Sequence, residues 1–136
     1  MFSYEYHLSN LHAGEYRDLL VASTLGERRP VDDLERINTM CRNADIIYTA
    51  RHNGKLVGAA RSVSDFSYCT YLSDLAVDAA YQHQGIGKKL IAETKRLYPQ
   101  ALLILLAAPA AEQYYPKIGM ERHNHCFLLR DVNGLK

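Results

Sequence analysis

Tryptophan is absent from these 136 residues, and the three cysteines, Cys41, Cys69 and Cys126, are widely spaced and odd in number. No CxxC pair occurs, which argues against both a zinc site and a disulfide framework. Reduced, mostly buried thiols in a cytoplasmic protein are the expectation. An excess of either sign of charge is also missing: the formal net charge is +1, which gives no support for binding nucleic acid or an anionic membrane. Long hydrophobic runs are missing too. The longest, "ALLILLAAPAA", is too short to cross a bilayer and contains Pro109. The first residues, "MFSYEYHLSNLHAGEY", lack the basic stretch and apolar core of a signal peptide. His7, His12, His52, His83, His123 and His125 show no metal-like spacing on one element, so no metal is expected.

What is present is a globular composition, 48% hydrophobic and 23% charged, without repeats or linkers. One domain over 1–136 follows, long enough to bury a core. Alternation in "FSYEYHL" predicts a strand from Phe2 to Leu8. Tyr16, Leu19, Leu20 and Leu25 form one stripe, predicting a helix over about 13–24. Val31, Leu34, Ile37 and Cys41 predict a second helix, with Pro30 at its start and Asp32 and Asp33 at the positive end of its dipole. Two β-rich runs flank Asn53-Gly54, the pair favoured by a type I′ turn. With "SYCTYLSDLAV" they predict three antiparallel strands at about 46–51, 56–63 and 68–77.

An amphipathic helix follows, with Ile86, Leu90, Ile91, Thr94 and Leu97 on its apolar face, to about Tyr98. "ALLILLA" reads as a short, fully buried strand. A short helix runs through "AAEQYYPKIG", ended by Gly119, and "MERHNHCFLLRD" closes as a strand pair turning at Asn124-His125. The expected fold is therefore α/β (α+β): a mixed, mostly antiparallel sheet of about seven strands flanked by about four helices. Strands 68–77 and 101–107 should be parallel across a right-handed crossover.

The stretch "YQHQGIGKKLI" carries the chemistry. Gly85 and Gly87 stand at the start of a helix, where glycine is intrinsically poor. A helix begins with unpartnered N–H groups and a positive dipole end, and a loop without Cβ atoms lets a phosphate reach them. A tight turn with nothing bound is the plainer alternative. A Walker A loop is excluded because Lys89, not Ser or Thr, follows Lys88. A Rossmann fingerprint is excluded because position 90 is Leu.

Gln82-x-x-Gly85-x-Gly87, directly after "DLAV", resembles the Q/R-x-x-G-x-G/A motif of the GNAT superfamily of acetyl-CoA-dependent N-acetyltransferases. "AEQYYPKIGM" looks like that family's second pattern, A-x-x-F/Y-Y-x-K-x-G-F, in Ala111, Tyr114, Tyr115, Lys117, Gly119 and Met120. Two positions depart from it. Ala108 stands where the family often has a coenzyme A-contacting Asn, and Pro116 interrupts the second motif.

The resemblance implies a GNAT-type fold and acetyl transfer from acetyl-CoA to a primary amine by direct attack. It also implies a pyrophosphate cradle from Gln82, His83, Gln84, Gly85, Ile86, Gly87, Lys88 and Lys89. The pantetheine arm would pair with the backbone of Leu75, Ala76 and Val77, and Tyr115 would protonate the departing sulfur. Similarity to the family suggests that the base often acts through ordered water from the strand containing Asp74.

Asp74 itself stands in a strand otherwise made of apolar and hydroxyl residues. A raised pKa would suit it to accept the amine's proton; the other reading is a carboxylate held by neighbouring N–H groups. Tyr71 and Ser73 point away from it if alternation is regular. Arg28 and Arg29 read as a solvated loop, or as groups facing an anionic acceptor. The acceptor is a small-molecule or peptide amine, with no nucleic acid and no membrane as partner; a homodimer through an edge strand is compatible with this organisation. The functional alternative is a non-catalytic acyl-CoA-binding sensor or interaction module.

Overall fold

The computed structural model describes residues 1–7 and 11–136, so Leu8, the expected end of the first strand, lies outside the described residues. The chain divides into two compact units, Met1–Leu106 and Ala107–Lys136.

In the first unit, β1 (Phe2–His7), β2 (Ile46–His52), β3 (Lys55–Ser64), β4 (Cys69–Val77) and β5 (Leu102–Ile104) form one sheet in that order. The first four pair antiparallel and β4 pairs parallel with β5. Between β1 and β2 come α1 (Ala13–Ala22) and α2 (Leu34–Asn43), and α3 (Ile86–Leu97) makes the crossover to β5. At the β2–β3 turn, Asn53 and Gly54 take φ of 51° and 83°, the pair of positive values that the turn type demands.

Two clusters fill the faces of the sheet. Tyr16, Leu19 and Leu20 of α1 and Ile37 and Cys41 of α2 pack with Ile47 and Ala59 on one face. Ile86 and Leu90 of α3 pack with Ala50, Val57, Ala60 and Leu72 on the other. Arg51 of β2 faces Leu56 while Ala50 faces Gly58, so Val57 is an extra residue that turns both itself and Gly58 toward α3. A Cβ on Gly58 would lie 2.8 Å from Ile86 Cγ2, so the glycine is what lets α3 sit this close to the sheet.

Three expectations need correction. The second helix starts at Leu34 rather than near Pro30, because the Asp33 carboxylate accepts from Arg36 N at 3.1 Å and caps it there. Residues 30–33 form a turn in which Asp33 N bonds Pro30 O. The "ALLILLA" strand is neither long nor fully buried: only Leu102–Ile104 pair, and Leu102 and Ile104 are exposed. Among the described residues the sheet has five strands, not about seven.

The missing strand pair was expected in the second unit. That unit holds a short helix, α4 (Tyr114–Lys117), and two single 3-10 turns, Pro109–Ala111 and Val132–Gly134. A turn does occur at Asn124-His125, but among the described residues no ladder flanks it. Phe127, Leu128 and Leu129 are consecutive and all exposed, so the segment has no alternating face to bury, and a lone hairpin is marginal in water. Gly119, at φ 100°, ends α4 as its sequence position suggests.

Candidate active site

The geometry of β4 decides the site. Arg61 of β3 faces Asp74 while Ser62 faces Leu72, so Ser73 is an extra residue, a β-bulge. The bulge breaks the alternation. Leu72 packs with α3, whereas Asp74 turns to the α1–α2 side, as Ala76 does, and Leu75 and Val77 face α3 again. The expectation that Ser73 points away from Asp74 is therefore overturned: its Oγ lies 3.5 Å from Asp74 Oδ1. Just before the bulge, parallel pairing with β5 stops at Tyr71 and Ile104. From Leu72 to Val77 the strand edge on that side is without a strand partner among the described residues.

Beyond Val77, Asp78 turns the chain: its N–H donates to Val57 O at 2.8 Å and its carboxylate accepts from Ala80 N at 2.9 Å. The exposed Gln82 reaches back to Val77 O at 3.3 Å, tying the loop to the end of β4. His83 (φ 64°) and Gly85 (φ 82°) are both left-handed. Gly85 is the N-cap of α3, no side chain caps this end, and the helix's first backbone bond runs from Lys89 N to Gly85 O at 3.0 Å. The N–H groups of Ile86, Gly87 and Lys88 precede that bond. A Cβ at Gly85 would meet nothing within 4 Å, so the glycine serves the backbone angle, and the space beside it is open.

Of the cradle side chains, Ile86 is buried against Gly58 and has only its backbone to offer. Lys89 pairs with Glu93 at 3.0 Å and lies over the Tyr4 ring, whereas Lys88 is exposed. The pieces expected to hold a cofactor, the end of β4, the loop and the first turn of α3, are thus contiguous.

Asp74 is completely buried and its oxygens are taken. Tyr16 OH donates to Oδ2 at 2.7 Å, Arg61 Nε to Oδ2 at 2.6 Å and Arg29 Nε to Oδ1 at 2.6 Å. Burial by itself would raise the carboxyl pKa, but hydrogen bonds and charge from Arg61, with the bonds from Tyr16 and Arg29, hold it below the usual carboxylate range. The raised value expected of a base is not found. The same surroundings push the Tyr16 phenol well up, through burial first and then the Asp74 charge. Burial also pushes the Cys41 thiol up to about 11. Cys69 and Cys126 are exposed, so only one of the three thiols is buried.

Arg29 is not part of a solvated loop: it is turned inward onto β4, while Arg28 is exposed. Sequence reasoning missed Arg61 and Tyr16 as partners of Asp74. A signal existed for the first: Arg61 is the one charge inside "LVGAARSV", as Asp74 is in its own strand. In the second unit, Tyr115 is half-buried on α4, its ring 5.3 Å from that of Tyr114. Burial, and then the neighbouring phenol, push its pKa up.

The site is thus a mixed sheet whose parallel pairing stops beside a bulge, followed by an uncapped, glycine-started helix. The chain belongs to the acetyltransferase (GNAT) family, whose model matches residues 9–120. An uncharacterised N-acetyltransferase, ycf52, of the red alga Pyropia yezoensis is 27% identical over 110 residues, covering 76% of this chain and 59% of that protein. The chain thus spans only about three fifths of that relative's length.

A GNAT family acetyltransferase from Streptococcus pneumoniae superposes with a TM-score of 0.77 at 21% identity, covering 96% of this chain and 100% of that one. An aminoglycoside N-acetyltransferase, AAC(6')-Iy, solved with CoA, gives 0.74 at 17% identity, covering 97% of this chain and 95% of its own. At these identities the structures speak for the fold. Among the described residues no cluster of His, Cys, Asp or Glu could hold a metal ion, and no helix is long and apolar enough to cross a membrane.

Proposed function

We propose that residues 1–136 act as one N-acetyltransferase domain that moves the acetyl group of acetyl-CoA to a primary amine by direct attack. The observation that carries this reading is the junction of the unpartnered β4 edge with the uncapped, left-handed start of α3. The residues fit the cofactor. The N–H groups at Ile86, Gly87 and Lys88 and the positive end of α3 suit a diphosphate, and the open space beside Gly85 admits it. Gln82, His83, Gln84 and Lys89 complete the cradle. The backbone along Leu75, Ala76 and Val77, an edge without a strand partner among the described residues, suits an extended amide arm, which would share the Val77 carbonyl with Gln82. The aminoglycoside enzyme of similar fold was solved with CoA, which supports the same choice here.

Bound acetyl-CoA supplies a thioester whose C–S bond breaks as the amine's N–C bond forms. An amine with a pKa near 10.4 must first lose a proton, a cost of about 4–5 kcal/mol at pH 7. Asp74, ionised and fully hydrogen-bonded, is suited to hold the bulge in place rather than to take that proton, which goes to water. Tyr115, protonated at neutral pH, donates to the departing sulfur and is reprotonated through solvent as the nitrogen sheds its second proton on becoming an amide. The acceptor is a small-molecule or peptide amine, and the free thiols suit a reducing compartment such as the cytoplasm.

The test is thiol release from acetyl-CoA across a broad panel of amines. Turnover with at least one amine is expected. Calorimetric binding of acetyl-CoA without turnover on any amine would leave a sensor instead, and no binding at all would end the reading.

A further inference from the structure

The segment between α1 and α2, residues 23–33, packs Leu25 and Val31 against the core cluster, and Arg29 ties it to the sheet by hydrogen bonds. Thr24 ends α1 in a left-handed conformation (φ 71°), and a 3-10 turn, Leu25–Arg28, follows. Arg29 then crosses to β4. Its Nε donates to Asp74 Oδ1 at 2.6 Å, its Nη2 to the carbonyl of Ser73 at 2.7 Å, and its Nη1 to the carbonyl of Arg28 at 2.8 Å. One guanidinium therefore grips the connector, the bulged backbone and the buried carboxylate together. Ser73 is the residue beside which β4 and β5 part, so the connector is fastened where the reacting thioester has to lie if the cofactor follows the free edge of β4.

We propose that Arg29 is a positioning residue for the acceptor: it latches the 23–33 connector onto the β4 bulge and so sets the path by which the amine reaches the acyl carbon. The inference rests on the acetyltransferase reading. The latch is separate from the cofactor cradle, which is built from the end of β4 and the start of α3. When Arg29 is lost, Asp74 keeps Arg61 and Tyr16 on Oδ2, while Oδ1 keeps only Ser73 Oγ at 3.5 Å, so the hub is weakened but retains a counterion. The Arg29 side chain is 22% exposed, so water can reach the space that its replacement opens. Lysine keeps the charge but, as a point donor, cannot span Asp74 Oδ1 and the Ser73 carbonyl in one plane.

The experiment compares Arg29→Ala, Arg29→Lys and Arg28→Ala with the wild-type chain. Steady-state kinetics on the best amine, acetyl-CoA calorimetry and hydrogen exchange of residues 23–33 are measured on each. For Arg29→Ala, kcat/KM for the amine should fall about 100-fold, chiefly through KM, as expected of a misplaced reactant. Acetyl-CoA affinity should be unchanged, and exchange in 23–33 should rise while the β2–β3 hairpin stays protected. Arg29→Lys should recover only part of the loss, and Arg28→Ala should match the wild type.

Equal amine KM in Arg29→Ala and wild type, or the same loss in Arg28→Ala, overturns the proposal. A parallel loss of acetyl-CoA affinity also overturns it. If the wild type releases no thiol with any amine, the acetyltransferase reading fails, and unchanged exchange in Arg29→Ala would then overturn the latch on its own.

Discussion

At Asp74 a carboxylate with no exposed surface stays ionised because two guanidiniums and a phenol replace its water. Removing the charge leaves Arg61, itself nearly buried, without a counterion. Asp74→Asn should therefore cost about 3–5 kcal/mol in urea denaturation. The pH dependence has a definite sign. The folded pKa lies below the unfolded one, about 3.9. The carboxylate's contribution is therefore present above that value and is lost as pH falls through the folded pKa. Wild-type stability should hold from neutral pH down to about 4 as far as this group is concerned and then drop, and Asp74→Asn should lack that part of the drop. An identical acid profile in both proteins would show that Asp74 is not the hub described. At Tyr115 the raised pKa keeps the phenol a donor across the neutral range. Tyr115→Phe should bind acetyl-CoA as the wild type does in calorimetry and release thiol about 100-fold or more slowly, the usual reach of a general acid.

Among the elements, α3 does two jobs, one with its apolar face and one with its N-terminus. Its apolar face closes on the sheet through the missing side chain of Gly58, and its N-terminus is left bare by Gly85. Gly87→Asp separates folding from binding. An acidic residue in the first turn suits the helix dipole, so the fold should hold. Yet its charge and bulk stand where a diphosphate must sit, so calorimetry with acetyl-CoA should register no binding. Undiminished affinity would place the phosphates elsewhere. The short β5 belongs to the same design: three paired residues anchor it to β4, and the pairing stops at Tyr71 and Ile104, short of the bulge.

Taken whole, the chain joins a family by a match that runs over 112 residues, 9–120, and by a fold shared with solved acetyltransferases. If the cofactor reading is right, a ligand that binds only the folded chain must stabilise it. At a concentration 100 times its dissociation constant, acetyl-CoA should add about 2.7 kcal/mol and raise Tm accordingly. ATP and NAD at the same concentration should not. A larger shift with either nucleotide would favour a general nucleotide-phosphate site over one for coenzyme A.

Local signals carried much of this. Asn53-Gly54 announced its hairpin, the apolar stripe from Ile86 to Leu97 announced α3, and Gly85 and Gly87 marked the corner between them, because turn angles and helix periodicity are written in neighbouring residues. The 82–87 and 111–120 motifs pointed to the family for the same reason. Tertiary structure alone decided the extra residue at Ser73, since a bulge exists only relative to its partner strand. It decided that Arg29 turns inward and that Asp74 is held rather than poised, because those partners come from 45 and 13 residues away. It decided too that, among the described residues, 120–131 forms no ladder, for a strand is made by its pairing and not by its composition.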